Sequence, residues 1–489
     1  MTHPTHGPQA RPALIQRTEL ACDAVLGLAG PAHAAGIAAV RSALTEPLRL
    51  AVVGRVKAGK STLVNALVGR RIAPTRAGEC TRVVTWYRYG APDRAVLVLR
   101  SGERRTLRID GGLPEELGVA PDDVDHLEVH LQAGALRDLT IIDTPGLATT
   151  TPENEAATRR AILGADAVSR SAATQADAVL FLVRDAERAD EVAFLRDFLD
   201  ASGELGASAV NAVGVLSHAD VFGAGPWGGD DPIAVAAARA RRLAVDRAAE
   251  VSDVRPVAAL LAETARTGRL READARALAA LAGVEAARLR LWEQLGAPDG
   301  VPAETMERLF GLLGPYGVAA GRSVGGGAEP LLRWLEERSG LAELEALIRR
   351  RFVLRADVLK ADHALEVLDR LGADLPDRAA GAAVRSAVEH ARLDPVLHPL
   401  REVRALSLLA RTAPASPLVQ TLTTLTEAPD DAARLGAAPG DDLPARARRL
   451  ASQSTGLAAV ASSPAEAEAA RTASRSYLLL ARRLEGRGP

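Results

Sequence analysis

One glycine loop constrains this chain more than any other feature. The apolar run Leu48–Val53 leads into Gly54-Arg55-Val56-Lys57-Ala58-Gly59-Lys60-Ser61, and Ser61–Val68 continues at helical spacing. Strand, G-x-x-x-x-G-K-S and helix together make a phosphate-binding loop in the setting that gives the motif its meaning. The backbone N–H groups of Arg55, Val56, Lys57, Ala58, Gly59 and Lys60 are expected to cradle the α- and β-phosphates, helped by the helix N-terminus at Ser61 and Thr62. Gly54 and Gly59 permit the curvature, Lys60 holds the β/γ oxygens, and Ser61 is expected to ligate Mg2+. Basic-residue usage points the same way. Only three of the 60 basic residues are lysine, and two of them, Lys57 and Lys60, sit in this loop. An ammonium is a compact point charge between phosphates, where a guanidinium is a wide fork.

The 489-residue chain has room for two or three domains, and only 3% of it is aromatic. Its interior must therefore be packed by Ala, Leu and Val, which suits helices. A formal net charge of −2 argues against a dedicated nucleic-acid binder. Cys22 and Cys80 are too few for a disulfide framework or a zinc site, so reduced cytosolic thiols are expected. With no signal-peptide core and no run of 18 apolar residues, membrane contact is expected to be peripheral.

Residues 1–12 read as a disordered tail and 13–46 as two helices, Ala13–Ala29 and Pro31–Leu44, broken at Gly30-Pro31. Strand-like runs follow at Arg82–Tyr89, Arg94–Leu99, Leu127–Leu131, Leu139–Asp143, Ala178–Val183, Val210–Leu216 and Arg255–Leu261. The alternation predicts an α/β domain over 47–265, with an allowance to about 340, whose sheet is mostly parallel with helices on both faces. Beyond it, 266–489 reads as an all-α bundle, including one long amphipathic helix over Leu341–Leu371.

Further motifs complete a nucleotide site. Asp143-Thr144-Pro145-Gly146 closes the strand Leu139–Ile142, where the carboxylate can hold Mg2+ through water and the Gly146 N–H can bond the γ-phosphate. Thr81, in Gly78-Glu79-Cys80-Thr81-Arg82, is either a switch threonine for Mg2+ and γ-phosphate or an ordinary strand-start residue. Ser217-His218-Ala219-Asp220 ends another strand. There Asp220 can accept the N1–H and N2–H2 of guanine, groups adenine lacks, while His218 packs along the base. The usual form at this point is N/T-K-x-D, so Ser217 and His218 are departures. The segment Leu260–Glu263 is a candidate to complete the base pocket. Leu147 stands where Ras-like enzymes carry a water-orienting glutamine, so those groups must come from elsewhere.

These stretches resemble the dynamin superfamily of large GTPases, and within it the bacterial dynamin-like proteins of the actinobacterial isoniazid-inducible type. The likeness rests on the helices ahead of the first strand, Gly54–Leu67, Ala73–Arg82, Ile141–Leu147 and Val215–Asp220. It implies a Mg2+-dependent GTPase head on a helical neck and trunk, with GTP-dependent head-to-head pairing and peripheral remodelling of an anionic membrane at the inner face of the cell membrane. A second dynamin-like protein is a candidate partner. Lys60, Thr81, Gly146 and Lys57 are the expected catalytic set, with Ser61, Thr81 and Asp143 around the metal. Eukaryotic dynamins carry a Gln-Ser pair where this chain has Val56-Lys57, and that serine helps bind a monovalent cation. Lys57 is therefore either an internal replacement for the cation or a solvent-facing side chain. Two rival functions stay open at this stage: a regulatory GTPase that acts on a protein effector, and an ATPase if Asp220 does not read the base.

Three other clusters receive plain readings. His126, Glu128 and His130 share one face of a strand, expected to be a solvated face rather than a metal site. Arg446–Arg449 reads as a solvated helix face, and Cys80 as a small buried thiol.

Overall fold

A computed structural model describes residues 12–55, 57–74, 83–109, 112–114, 116–145, 176–184, 211–247 and 250–486. Val56, Thr81 and Gly146, with Cys80, Leu147 and residues 1–11 of the expected tail, lie outside them. The described residues divide into two compact units, one from Arg49 to Arg349 and one that joins the residues before Arg49 to those after Arg349.

The first unit is built on strands β1 (Leu48–Gly54), β2 (Thr85–Tyr89), β3 (Arg94–Leu99), β4 (Arg104–Leu107), β5 (Val124–Leu131), β6 (Leu139–Asp143), β7 (Ala178–Val183), β8 (Ala212–Ser217) and β9 (Val254–Val257). They form one sheet in the order β4-β3-β5-β2-β6-β1-β7-β8-β9. The β1–β7, β7–β8, β8–β9 and β2–β5 pairs are parallel, while β2–β6, β3–β5 and β3–β4 are antiparallel. Leu50, Ala51, Val52 and Val53 are wholly buried, as expected for a parallel strand covered on both faces. That is why β7 is an unbroken apolar run in the sequence, and β1 is interrupted only at Arg49.

Helices α3 (Lys60–Val68), α4 (Pro232–Asp246), α5 (Ala259–Arg266), α6 (Glu272–Ala280), α7 (Ala303–Gly321) and α8 (Ala328–Ser339) belong to this unit. Leu309, Leu312 and Leu313 of α7 and Leu335 of α8 share one core with Ala51, Val53 and Phe181 of the sheet. The unit built on the sheet therefore runs on to Arg349, beyond both the 265 and the about 340 read from the sequence.

Two local expectations are corrected, and one strand was not expected. Arg255–Leu261 is not one strand: β9 stops at Val257 and α5 begins at Ala259. A continuous apolar run does not by itself distinguish strand from buried helix. The edge strand β4 has no apolar alternation, and its Arg104, Arg105 and Thr106 are exposed. The helix expected over Leu341–Leu371 is instead α9 (Leu341–Arg351), a 3-10 turn at Val353–Arg355, and α10 (Ala356–Asp374). Within the break Phe352 is fully buried, and Arg355 uses its side-chain Nε, 2.7 Å from the Arg351 carbonyl, where a continuing helix would use its backbone N–H.

In the second unit, α1 (Ala13–Ala29) and α2 (Ala34–Ala43) pack against α10 and α11 (Arg378–Arg392). Ile15, Cys22, Val25, Ile37 and Leu44 share a core with Leu365, Leu368, Val384 and Val388. Cys22 is unpaired, and burial pushes its thiol up to about 11, which leaves it inert. A separate core joins α12 (His398–Thr412), α13 (Pro417–Glu427), α14 (Leu443–Ala459) and α15 (Pro464–Leu484). No helix among the described residues is long and apolar enough to cross a membrane.

Candidate nucleotide site

The phosphate half forms where β1 turns into α3. Gly54 passes so close to β7 that a Cβ there would lie 2.9 Å from the Leu182 carbonyl oxygen, so only glycine fits. The loop then tightens through the Ala58 N–H, which donates to the Arg55 carbonyl at 3.2 Å. Gly59, at φ 88°, swings the chain into α3. Lys60 folds back over this loop and donates from Nζ to the Gly54 and Arg55 carbonyls at 3.0 and 3.1 Å. Its ammonium is nearly buried, and desolvation lowers its pKa while Asp143 works in the opposite direction. An anion replaces those two carbonyls at little cost, because it supplies stronger acceptors to an already desolvated cation.

The Ser61 Oγ donates to Asp143 Oδ2 at 3.1 Å, although 82 residues separate the two. Asp143 is brought in because β6 ends beside the loop, and Thr144 fixes that end by donating its hydroxyl to the Val52 carbonyl at 2.9 Å. The other carboxylate oxygen, Oδ1, is buried with no hydrogen-bond partner. Burial raises the Asp143 pKa to about 6. A buried, half-satisfied carboxylate beside a serine hydroxyl is a hard-oxygen donor set that fits Mg2+. Thr62 follows in the first turn of α3, partly exposed.

The base half lies at the end of β8. Ser217 does not face a base; its hydroxyl donates to the Val183 carbonyl at 3.1 Å and locks β8 to β7. His218 and Lys57 are the only two non-glycine residues with positive φ among the described residues, at 55° and 63°. They touch: His218 Nε2 lies 3.2 Å from the Lys57 carbonyl. A carbonyl only accepts, so the ring presents Nε2–H. Desolvation lowers the His218 pKa, with Arg184 acting in the same sense, and keeps the imidazole neutral. Backbone strain of this kind clusters at functional sites. Lys57 itself is exposed.

Asp220 is 7% exposed, and burial raises its pKa. A buried carboxylate in this condition favours a ligand that supplies N–H donors. Leu260–Glu263 is part of α5 and contributes differently from the expectation. Glu263 turns away to accept from Asn65 Nδ2 at 2.7 Å, while Leu260 Cδ2 and Asp220 Oδ2 would lie 3.4 and 3.5 Å from a Cβ on Gly314.

Asn65 was not singled out by sequence reasoning. It is wholly buried on α3, one turn after Ser61. Its Oδ1 accepts from Ile72 N and Ala73 N at 2.9 and 2.7 Å, and its Nδ2 also donates to the Ala73 carbonyl at 3.2 Å. Its partner Glu263 lies 198 positions away, so no local pattern signals the pair.

Glu128 occupies the centre of the strand face that carries His126 and His130. It accepts from Arg104 at 2.5 Å, with His126 and His130 at 3.4 and 3.6 Å. The His126 hydrogen bond, then Arg104, hold Glu128 down to about 2. It is an ion-pair network, and no metal-binding cluster occurs among the described residues.

The Dynamin family profile matches residues 50–217. Isoniazid-induced protein IniC of Mycobacterium tuberculosis is 37% identical over 394 residues, covering 76% of this chain and 75% of IniC. A bacterial dynamin-like protein of Nostoc punctiforme is 33% identical over 122 residues, 22% of this chain and 18% of that protein. A solved chain from an oligomerised bacterial dynamin pair aligns over 92% of this chain and 61% of its own length, at 13% identity and a TM-score of 0.31. With the phosphate loop and the Asp143 strand end inside the matched residues 50–217, and 37% identity to IniC over 76% of this chain and 75% of IniC, this protein belongs to the dynamin family and is a bacterial dynamin-like GTPase.

Proposed function

We propose that this protein hydrolyses GTP, with Mg2+, to drive head-to-head association and the remodelling or tethering of a membrane it contacts peripherally from the cytoplasmic side. The chemistry rests on one observation above all: the Ser61–Asp143 pair, with an unsatisfied Asp143 oxygen, sits beside a Lys60 ammonium that only backbone carbonyls now hold. Mg2+ held by Ser61 and Asp143 would neutralise charge on the β- and γ-phosphate oxygens. Lys60 exchanges the Gly54 and Arg55 carbonyls for phosphate, and the loop N–H groups orient the chain for in-line attack by water. Asp220 selects guanine. Thr81 and Gly146 sense the γ-phosphate. Leu147 cannot orient water, so a facing head supplies what one head lacks, and turnover requires pairing with a second copy or with a second dynamin-like protein.

Membership in the dynamin family supports the membrane role, and the helical second unit provides the lever for it. The test is GTP turnover against protein concentration, with and without anionic liposomes. The expected specific rate climbs with concentration and climbs again on lipid. A flat rate indifferent to lipid would instead assign a regulatory GTPase acting on a protein effector.

A further inference from the structure

The helix α7 is broken where it meets the base site. Gly314 has φ 63° and ψ 175° inside an otherwise helical run, and Pro315 follows it. Proline has no N–H to return to the preceding turn, so a break here leaves carbonyls to be satisfied by other groups. One is answered from α5: Thr264, wholly buried, donates its hydroxyl to the Leu312 carbonyl at 2.5 Å. Beyond the break, the Tyr316 ring stacks on Trp334 at 6.1 Å, and its hydroxyl accepts from Arg338 Nε at 2.9 Å. Arg338 also pairs with Asp231, whose carboxylate caps α4 at the Ile233 N–H. Gly317 lets α7 settle onto α5, since a Cβ there would stand 3.1 Å from Leu261 Cδ2.

All of this fixes one point. A Cβ at position 314 would lie 3.5 Å from Asp220 Oδ2 and 3.4 Å from Leu260 Cδ2. The main chain of α7 therefore runs beside Oδ2 of the carboxylate at the end of β8.

We propose that the Gly314–Pro315 break in α7 is a wall of the base site, a specificity-determining element that lies beside the Asp220 carboxylate and keeps its Oδ2 edge open to the paired N–H donors of guanine. The inference rests on reading Asp220 as the guanine acceptor. Two donors on one base edge need both carboxylate oxygens, and in so buried a group a methyl beside Oδ2 takes the space one donor requires. Glycine meets both demands, because it adds nothing beside Oδ2 and is unstrained at this φ and ψ. Thr264 is a positioning residue: it holds the broken turn in place and does not touch the nucleotide.

The experiment is competition of GTP, XTP and ATP against a fluorescent GDP analogue on the full chain, for wild type, Gly314→Ala, Thr264→Val and Asp220→Asn. Gly314→Ala and Thr264→Val are expected to weaken GTP about tenfold, the worth of one lost hydrogen bond, while ATP changes less than twofold. Asp220→Asn is expected to reverse the preference between GTP and XTP. A simple loss of stability would lower all three nucleotides together and leave the ratios unchanged. If Asp220→Asn reverses the preference but the GTP/ATP ratio stays within twofold in Thr264→Val and in any Gly314→Ala that folds, the wall is overturned and the guanine reading survives. If Asp220→Asn leaves the GTP/XTP preference as it was, the guanine reading falls, and the wall with it.

Discussion

Asn65 and Glu263 offer a perturbation whose outcome follows from the hydrogen bonds alone. Asn65 is wholly buried and Glu263 is 2% exposed. Asn65→Ala strips the Ile72 and Ala73 N–H groups of their acceptor and leaves Glu263 with Arg71, whose Nε is 3.8 Å away. Each buried unsatisfied group costs about 1–3 kcal/mol, and more where it is charged, so the loss should come to about 4–6 kcal/mol. For a unit of this size that is a fall in Tm of roughly 10–15 °C. Asn65→Asp keeps the acceptor but sets two carboxylates about as close as the present 2.7 Å contact, and should destabilise comparably. Adding Glu263→Gln supplies an amide donor to the new carboxylate, so Asn65→Asp/Glu263→Gln should recover most of the loss, a coupling of about 2–4 kcal/mol. Differential scanning calorimetry of wild type, Asn65→Ala, Asn65→Asp, Glu263→Gln and the double variant, with GDP present, reads the cycle. An Asn65→Ala melt within 2 °C of wild type (well below the roughly 10 °C expected), or a double variant no better than Asn65→Asp alone, would refute the reasoning.

Three further outcomes are expected. His218→Ala removes the donor to the Lys57 carbonyl and should weaken GDP and GTP alike by about tenfold in fluorescent-nucleotide titrations, while His218→Lys, which keeps a donor, should stay within about threefold of wild type. If Lys57 replaces a monovalent cation, wild-type turnover should be indifferent to K+ versus Na+, and Lys57→Ala should lower kcat about 100-fold with little change in nucleotide affinity; strong K+ stimulation of the wild type contradicts it. His398 is buried, donates through Nε2 to or accepts from Ser476 at 2.9 Å, and is held down to about 4, chiefly by desolvation. Its folded pKa lies below the unfolded value, so the unfolded chain gains the proton first and stability drains as pH falls from about 6.5 to about 4, by about 3 kcal/mol. Hydrogen exchange in α12, compared at matched pH, should show His398→Gln losing less protection in that window than wild type; parallel losses would discount the histidine.

What the sequence disclosed, and what it withheld, divides along a physical line. The phosphate loop, the Asp143 strand end and the Ser217–Asp220 turn were legible because their chemistry needs particular residues at fixed short spacings. So were β3, β6 and β7, whose bounds the apolar runs mark residue for residue. The roles of Ser217 and His218 were not, since a hydroxyl locked to Val183 and a ring on the Lys57 carbonyl depend on which strands lie side by side. The same holds for the break at Phe352, where apolar spacing stays in helical register through a segment that is not helical. It holds most strongly for Asn65, Thr264 and Gly314. Asn65 and Thr264 read as ordinary helix residues until their partners, 198 and 48 positions away, are placed against them, and Gly314-Pro315 signals a break but not the carboxylate beside it.

Those three residues also explain why residues 266–349 must pack with the sheet. The phosphate half of the site rides on α3 and the base half on the end of β8, and the pairs above reach between them by way of α5. Asn65 bonds α3 to α5 through Glu263, Thr264 bonds α5 to α7 through Leu312, and Gly314 sets α7 behind Asp220. Both bonds are buried, where breaking one exposes no compensating water and costs the full desolvation of its partner. A phosphate loop and a base-reading carboxylate on separate strands are each complete as motifs, yet they bind one nucleotide only if the distance between them is held. Here α5 and α7 tie the two strand ends together through those buried bonds, so the helices that look like the start of a trunk in the sequence belong to the framework of the proposed nucleotide site.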